Sequence, residues 1–119
     1  MTHAARSVYV FGIYLVVLGG VLMGTPNTLL AMVGQPATTE PWIHVLGIPV
    51  MGMGLTYLAM ARSGQTAFLQ VSVWGRLFAL AAFVALTVVG IVPPIVAAFG
   101  LLDAAGAAWT HATLRAATT

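Results

Sequence analysis

Four runs of about twenty mostly apolar residues, parted by turn-forming clusters, constrain this chain more than anything else in it. A helix rising 1.5 Å per residue needs about 20 such residues to cross the hydrocarbon core of a bilayer. The runs fall at about 7–24, 42–61, 66–91 and 94–113. Thr25-Pro26-Asn27 closes the first, Arg62-Ser63-Gly64-Gln65 the second and Pro93-Pro94 the third, each a cluster that breaks helices. The pattern predicts an all-α polytopic membrane protein, with four transmembrane helices in an up-down bundle forming a single domain over 1–119. Between the first two spans lies the longest connection, the first outer loop. There Asn27 to Val33 has the pattern of a short amphipathic segment, capped by Asn27 and ended by Gly34.

The charges agree with this. Globular proteins carry about 25% charged residues, whereas this chain of 119 residues has 5%: Arg6, Arg62, Arg76, Arg115, Glu40 and Asp103. That is too few to coat a water-soluble surface. The sequence pI near 9.7 rests on four scattered arginines with no lysine, which makes no basic patch and excludes a nucleic-acid partner. Cysteine is absent, so disulfides, thiolate metal sites and a cysteine nucleophile are excluded as well.

Arginine placement sets the expected orientation, because cytoplasmic flanks carry the excess of basic residues. Arg6 precedes the first span, Arg62 lies between the second and third, and Arg115 follows the fourth, while the opposite loops hold only Glu40. Both termini are therefore expected on the cytoplasmic side of a cell inner membrane. The first run lacks an Ala-x-Ala-like cleavage site and is expected to persist as a span. Lipid gives helices little hydrophobic drive to associate, so small residues should mark the contacts. Gly20 with Gly24, and Gly100 with Ala104 and Ala108, are the candidates, and Pro49 should kink the second span by removing a backbone hydrogen bond.

Arg76 and Asp103 lie well inside spans, where an unpartnered charge is costly. Each sits about ten residues from the arginine-flanked end of its span, which predicts an ion pair at one depth. Ser72 and Thr87 share the Arg76 face at helical spacing, and Tyr57 on the second span is a further donor. Two readings stand for this group: a clamp between helices, or a polar pocket in which Arg76 meets an anionic or carbonyl group while Asp103 orients it or exchanges a proton. Arg76 can also snorkel toward the cytoplasm, which the short Asp103 cannot. His44, with Glu40 four residues before it, is a candidate proton carrier, axial haem ligand or metal ligand. No His-x-x-x-His or Glu-x-x-His pairing is present, which argues against a multi-ligand metal site, and the sequence fixes no cofactor.

Three stretches carry a resemblance: Trp74-Gly75-Arg76, Pro93-Pro94, and Gly100-Leu101-Leu102-Asp103-Ala104-Ala105-Gly106-Ala107-Ala108-Trp109-Thr110. With Pro26-Asn27, Gly34-Gln35-Pro36 and Trp42-Ile43, they make the chain similar to small four-helix bacterial inner-membrane proteins to which no activity is assigned. The architecture is more loosely similar to the DoxX-like group, some members of which are accessory to quinone-linked redox enzymes. The resemblance implies a four-helix fold and no particular activity.

Three kinds of function fit. The first is an accessory or lipophilic-ligand-binding membrane protein with its site around Arg76 and Asp103. The second is an oligomeric small transporter or channel using Asp103, and the third a membrane enzyme or haem protein using His44. The partners expected are the lipid bilayer, a small apolar ligand, and either further copies of the chain or a larger membrane complex.

Overall fold

The computed structural model describes residues 1–118. Five α-helices and one 3-10 turn follow in order: α1 (His3–Gly24), α2 (Pro26–Met32), α3 (Trp42–Ser63), α4 (Thr66–Val88), the turn Pro94–Val96 and α5 (Ala97–Thr118). No strand occurs among the described residues. The segments His3–Gly24, Trp42–Ser63, Thr66–Val88 and Pro94–Ala117 are long and apolar enough to cross a membrane. Large apolar side chains on α4 stand open, with Trp74 72% and Phe78 75% exposed. Surface of that kind suits lipid rather than water.

The boundaries follow from local chemistry. Thr2 caps α1: its hydroxyl accepts the backbone N–H of Ala5 at 3.0 Å and its carbonyl accepts that of Arg6 at 2.9 Å. The helix therefore starts four residues before the apolar run, whose limits ignore a polar cap. At the other extreme α4 stops at Val88, short of the expected Ile91. The terminator is Gly90 rather than Pro93. Gly90 takes φ +82, its N–H reaches the Thr87 carbonyl at 3.1 Å, and the Ile91 N–H reaches that of Leu86 at 3.0 Å. A left-handed glycine closing the last turn in this way is a common helix stop.

The short loop helix is present, but Asn27 does not cap it. Thr25 holds the cap position with no side-chain bond. Asn27 instead clamps the loop, accepting from the Thr38 N–H at 2.9 Å and donating to the Thr38 carbonyl at 3.1 Å. Gly34, at φ +72, ends the helix as the sequence indicates, with its N–H on the Ala31 carbonyl at 3.1 Å.

The chain groups into two compact units, Met1–Val8 with Met60–Thr119, and Tyr9–Ala59. In the second unit α1 and α3 pack through four glycines. A Cβ on Gly47 would stand 2.5 Å from the Gly19 carbonyl oxygen, and one on Gly19 would stand 2.8 Å from that of Gly47. Gly54 and Gly12 repeat the arrangement one heptad along, at 2.8 and 3.0 Å. Both pairs sum to one register, so the two helices run antiparallel with backbones in direct contact. Such close approach is how helices associate where lipid removes the hydrophobic drive. Gly20 meets only the far end of Met51 and Gly24 meets nothing within 4 Å, so the expected Gly20–Gly24 seam lies one residue off the true contact face. Phe11 and Tyr57 complete this core, with ring centroids 5.9 Å apart.

In the first unit α4 and α5 are antiparallel neighbours. Gly100 receives the Phe83 side chain, its added Cβ meeting Phe83 Cβ at 3.0 Å. Ala4, Ala5, Val8, Leu69, Val73 and Ala107 are buried, and four polar residues are buried with them: Ser7, Ser72, Arg76 and Thr110.

Candidate functional site

The four buried polar side chains form one hydrogen-bonded cluster joining the start of α1 to α4 and α5. Arg76 sits ten residues into α4, about 15 Å from its start. Its side chain turns back along the helix, as long helical side chains do. Nε donates to the Ser72 carbonyl at 3.0 Å, and Nη2 donates to Ser72 Oγ at 2.9 Å and to Thr110 Oγ1 at 2.9 Å. Ser7 Oγ lies 2.6 Å from Thr110 Oγ1. Ser7, Arg76 and Thr110 are 0%, 2% and 0% exposed.

Each hydroxyl has one proton, which limits how the cluster is wired. Thr110 Oγ1 accepts from Arg76 and lies 3.1 Å from the Gly106 carbonyl, while Ser7 Oγ lies 2.7 Å from that of Ala4. If Ser7 donates to Ala4, Thr110 must donate to Ser7. If Thr110 donates to Gly106, Ser7 must donate to Thr110. Both arrangements satisfy every hydroxyl, and in both the Arg76 charge is spread over neutral acceptors. Hydrogen bonds to a charged group are about twice as strong as neutral ones, so the cluster holds three helix segments at a fixed register.

Ser72 joins Arg76 as the helical spacing indicates. Asp103 is placed differently. Arg76 opposes Thr110, and Asp103 lies seven residues from Thr110 along the same face of α5, two turns or about 10 Å away. The Arg76 guanidinium donates to Ser72 and Thr110. Equal depth by residue count misses this, because α5 runs on to Thr118, which leaves Asp103 fifteen residues from that end against ten for Arg76 from the start of α4, and the Arg76 side chain turns away from the Asp103 end. Among the described residues no hydrogen bond reaches the half-buried Asp103 carboxylate.

Thr87 lies eleven residues beyond Arg76, and its hydroxyl is used within its own helix on the Phe83 carbonyl at 2.8 Å. Tyr57 belongs to the Tyr9–Ala59 unit, packed on Phe11. His44 donates Nδ1–H to the Met23 carbonyl at 2.6 Å, since a carbonyl can only accept. That carbonyl is one of the last four of α1, which lack partners inside the helix, so His44 serves as a cap supplied by α3. Glu40 accepts from Trp42 Nε1. His44 and Glu40 thus have separate partners, and among the described residues no three His, Cys, Asp or Glu groups gather to hold a metal ion. The sequence pattern did not single out Ser7, although a serine four residues after the helix start, on the same side as Ala4 and Val8, was its one signal.

Between α4 and α5 runs a groove of about 580 Å³. Val73, Trp74 and Leu77 line it from α4, and Ala104, Ala107, Ala108 and Leu114 line it from α5. Gln70, His111 and Arg115 lie at one end. Comparison with known proteins finds no matching family model, no matching curated protein and no matching solved structure.

Proposed function

We propose that this chain is a small multi-pass membrane protein of accessory or lipophilic-ligand-binding type, which takes an elongated apolar molecule from the bilayer into the α4–α5 groove. The observation that carries this reading is the groove itself, about 580 Å³ and walled mainly by apolar side chains, within the range of small-molecule sites. The Arg76 cluster fixes α4 against α5 and so sets the groove's width; it is the helix clamp rather than the pocket. The position of Arg6, Arg62 and Arg115 supports an inner-membrane protein with both termini cytoplasmic. An accessory role, as a homo-oligomer or within a larger membrane complex, belongs to the same proposal.

Native mass spectrometry of the protein purified in mild detergent, with extraction of bound lipid, tests the reading. Retained apolar mass is expected in the wild type and its loss in Ala108→Trp, which fills the groove from an exposed position. A wild-type protein that carries nothing refutes it. One observation favours a second reading: Asp103, half-buried in mid-span, accepts no hydrogen bond among the described residues, which leaves its carboxyl group open to exchange a proton. Flux in proteoliposomes that disappears in Asp103→Asn supports that alternative, and unaltered flux or none removes it.

A further inference from the structure

Resting on the groove reading, we infer that the occupant is an apolar primary amine, whose ammonium group Asp103 receives at the mid-span end of the groove while its hydrocarbon body lies between α4 and α5. Asp103 stands nine residues from Pro94 and fourteen from Ala117 in the last span, a depth at which an ionisable side chain needs a partner. Its carboxylate is half-buried and accepts no hydrogen bond among the described residues. Arg76, the cation of the neighbouring helix, donates to Ser72 and Thr110 instead. The chain end does not supply the donor either, because fifteen residues of helix, about 22 Å, separate Asp103 from Thr118. A side chain this short cannot carry its charge to the headgroups as a long one does. The donor therefore comes from outside the chain, on a molecule apolar enough to reach mid-span through lipid.

The groove provides the place for the rest of that molecule. Ala104 follows Asp103 directly, and Ala107 and Leu114, four and eleven residues on, share its helix face. All three line the groove, so Asp103 continues its α5 wall at the deep end. Arg76 opposes Thr110 and Phe83 opposes Gly100. In that register the part of α4 level with Asp103 is Leu80-Ala81-Ala82-Phe83, which holds no donor side chain. Charge then selects the head. An ammonium brings both a donor and the opposite charge, whereas an alcohol brings the donor alone and leaves the carboxylate's charge in the bilayer. A quaternary ammonium has no N–H to give, and an acid brings like charge.

The test uses the full chain in detergent, delipidated and then incubated with dodecylamine or dodecanol, which share one chain length, with retained ligand read by native mass spectrometry. A hydrogen bond to a charged group is worth about ten-fold or more in an equilibrium, so dodecylamine should be retained at about ten-fold lower concentration than dodecanol. Asp103→Asn should remove that preference and Asp103→Glu should keep it. If amine and alcohol bind equally in the wild type and both are lost in Ala108→Trp, the amine assignment is overturned while the groove reading stands. An amine preference that survives Asp103→Asn overturns the assignment too, as does a wild type that retains neither compound. If Ala108→Trp retains both, the groove reading falls with it. Circular dichroism of each variant separates loss of binding from loss of fold.

Discussion

Replacing Gly47 with alanine puts a methyl group where α1 and α3 touch. The new Cβ would stand 2.5 Å from the Gly19 carbonyl oxygen and 2.8 Å from the Met23 backbone nitrogen. Both are backbone atoms, so no side-chain rotation relieves the clash. Reaching ordinary contact at 3.4 Å requires the helices to part locally by roughly 0.9 Å, which loosens the neighbouring Gly54–Gly12 contact one heptad away. Gly52 lies in the same helix with nothing within 4 Å of its added Cβ, and it is the matched control. Alanine is favoured over glycine in a helix by about 0.8–1.0 kcal/mol, a gain both variants share. Overpacking costs about 1–3 kcal/mol and falls on Gly47→Ala alone. Gly52→Ala should therefore be slightly more stable than wild type and Gly47→Ala about 2 kcal/mol less stable than Gly52→Ala. Reversible unfolding in mixed micelles, titrated with SDS and followed by circular dichroism, measures the difference. Equal midpoints for the two variants would falsify the glycine contact.

Four further outcomes follow from the buried cluster, the His44 cap and the Asn27 loop clamp. Thr110→Val keeps the shape of the side chain but deprives Arg76 Nη2 and Ser7 of a shared partner, and should cost about 1.5–3 kcal/mol in the same unfolding assay. Arg76→Met removes the charge together with its need for partners, so it should be less destabilising than Thr110→Val; the reverse order would show that the charge itself stabilises the fold. His44→Phe leaves the Met23 carbonyl uncapped and should cost about 1 kcal/mol, without altering the absorption spectrum of the purified protein. Asn27→Ala should speed amide exchange at Thr38 while leaving the unfolding midpoint within about 0.5 kcal/mol, as is usual for exposed positions.

The sequence by itself determined the helical class, the four spans and their limits to within a few residues. Span length and apolar content depend on composition along the chain, and the bilayer thickness fixes the rest. It also brought Ser72 to Arg76, because residues four apart on a helix are neighbours whatever surrounds them. Capping and stopping were legible only in part. Gly34 ends its helix as a glycine after an apolar run indicates, whereas the stop at Gly90 is masked by the more conspicuous Pro93, and Asn27 finds a backbone partner eleven residues away that no local rule supplies.

Contacts between helices were decided by tertiary structure. Gly19 rather than Gly20 meets α3, since one residue is 100° of rotation on a helix, and nothing in a one-dimensional pattern fixes that angle. For the same reason Arg76 opposes Thr110 instead of Asp103. The partner depends on where α5 ends and on the direction in which a long side chain folds back, and the two together moved the expected partner by two turns. Ser7 and Thr110 are 103 residues apart and meet at 2.6 Å. Their pairing exists only once three helix segments have packed, because each hydroxyl alone is satisfied by a carbonyl of its own helix.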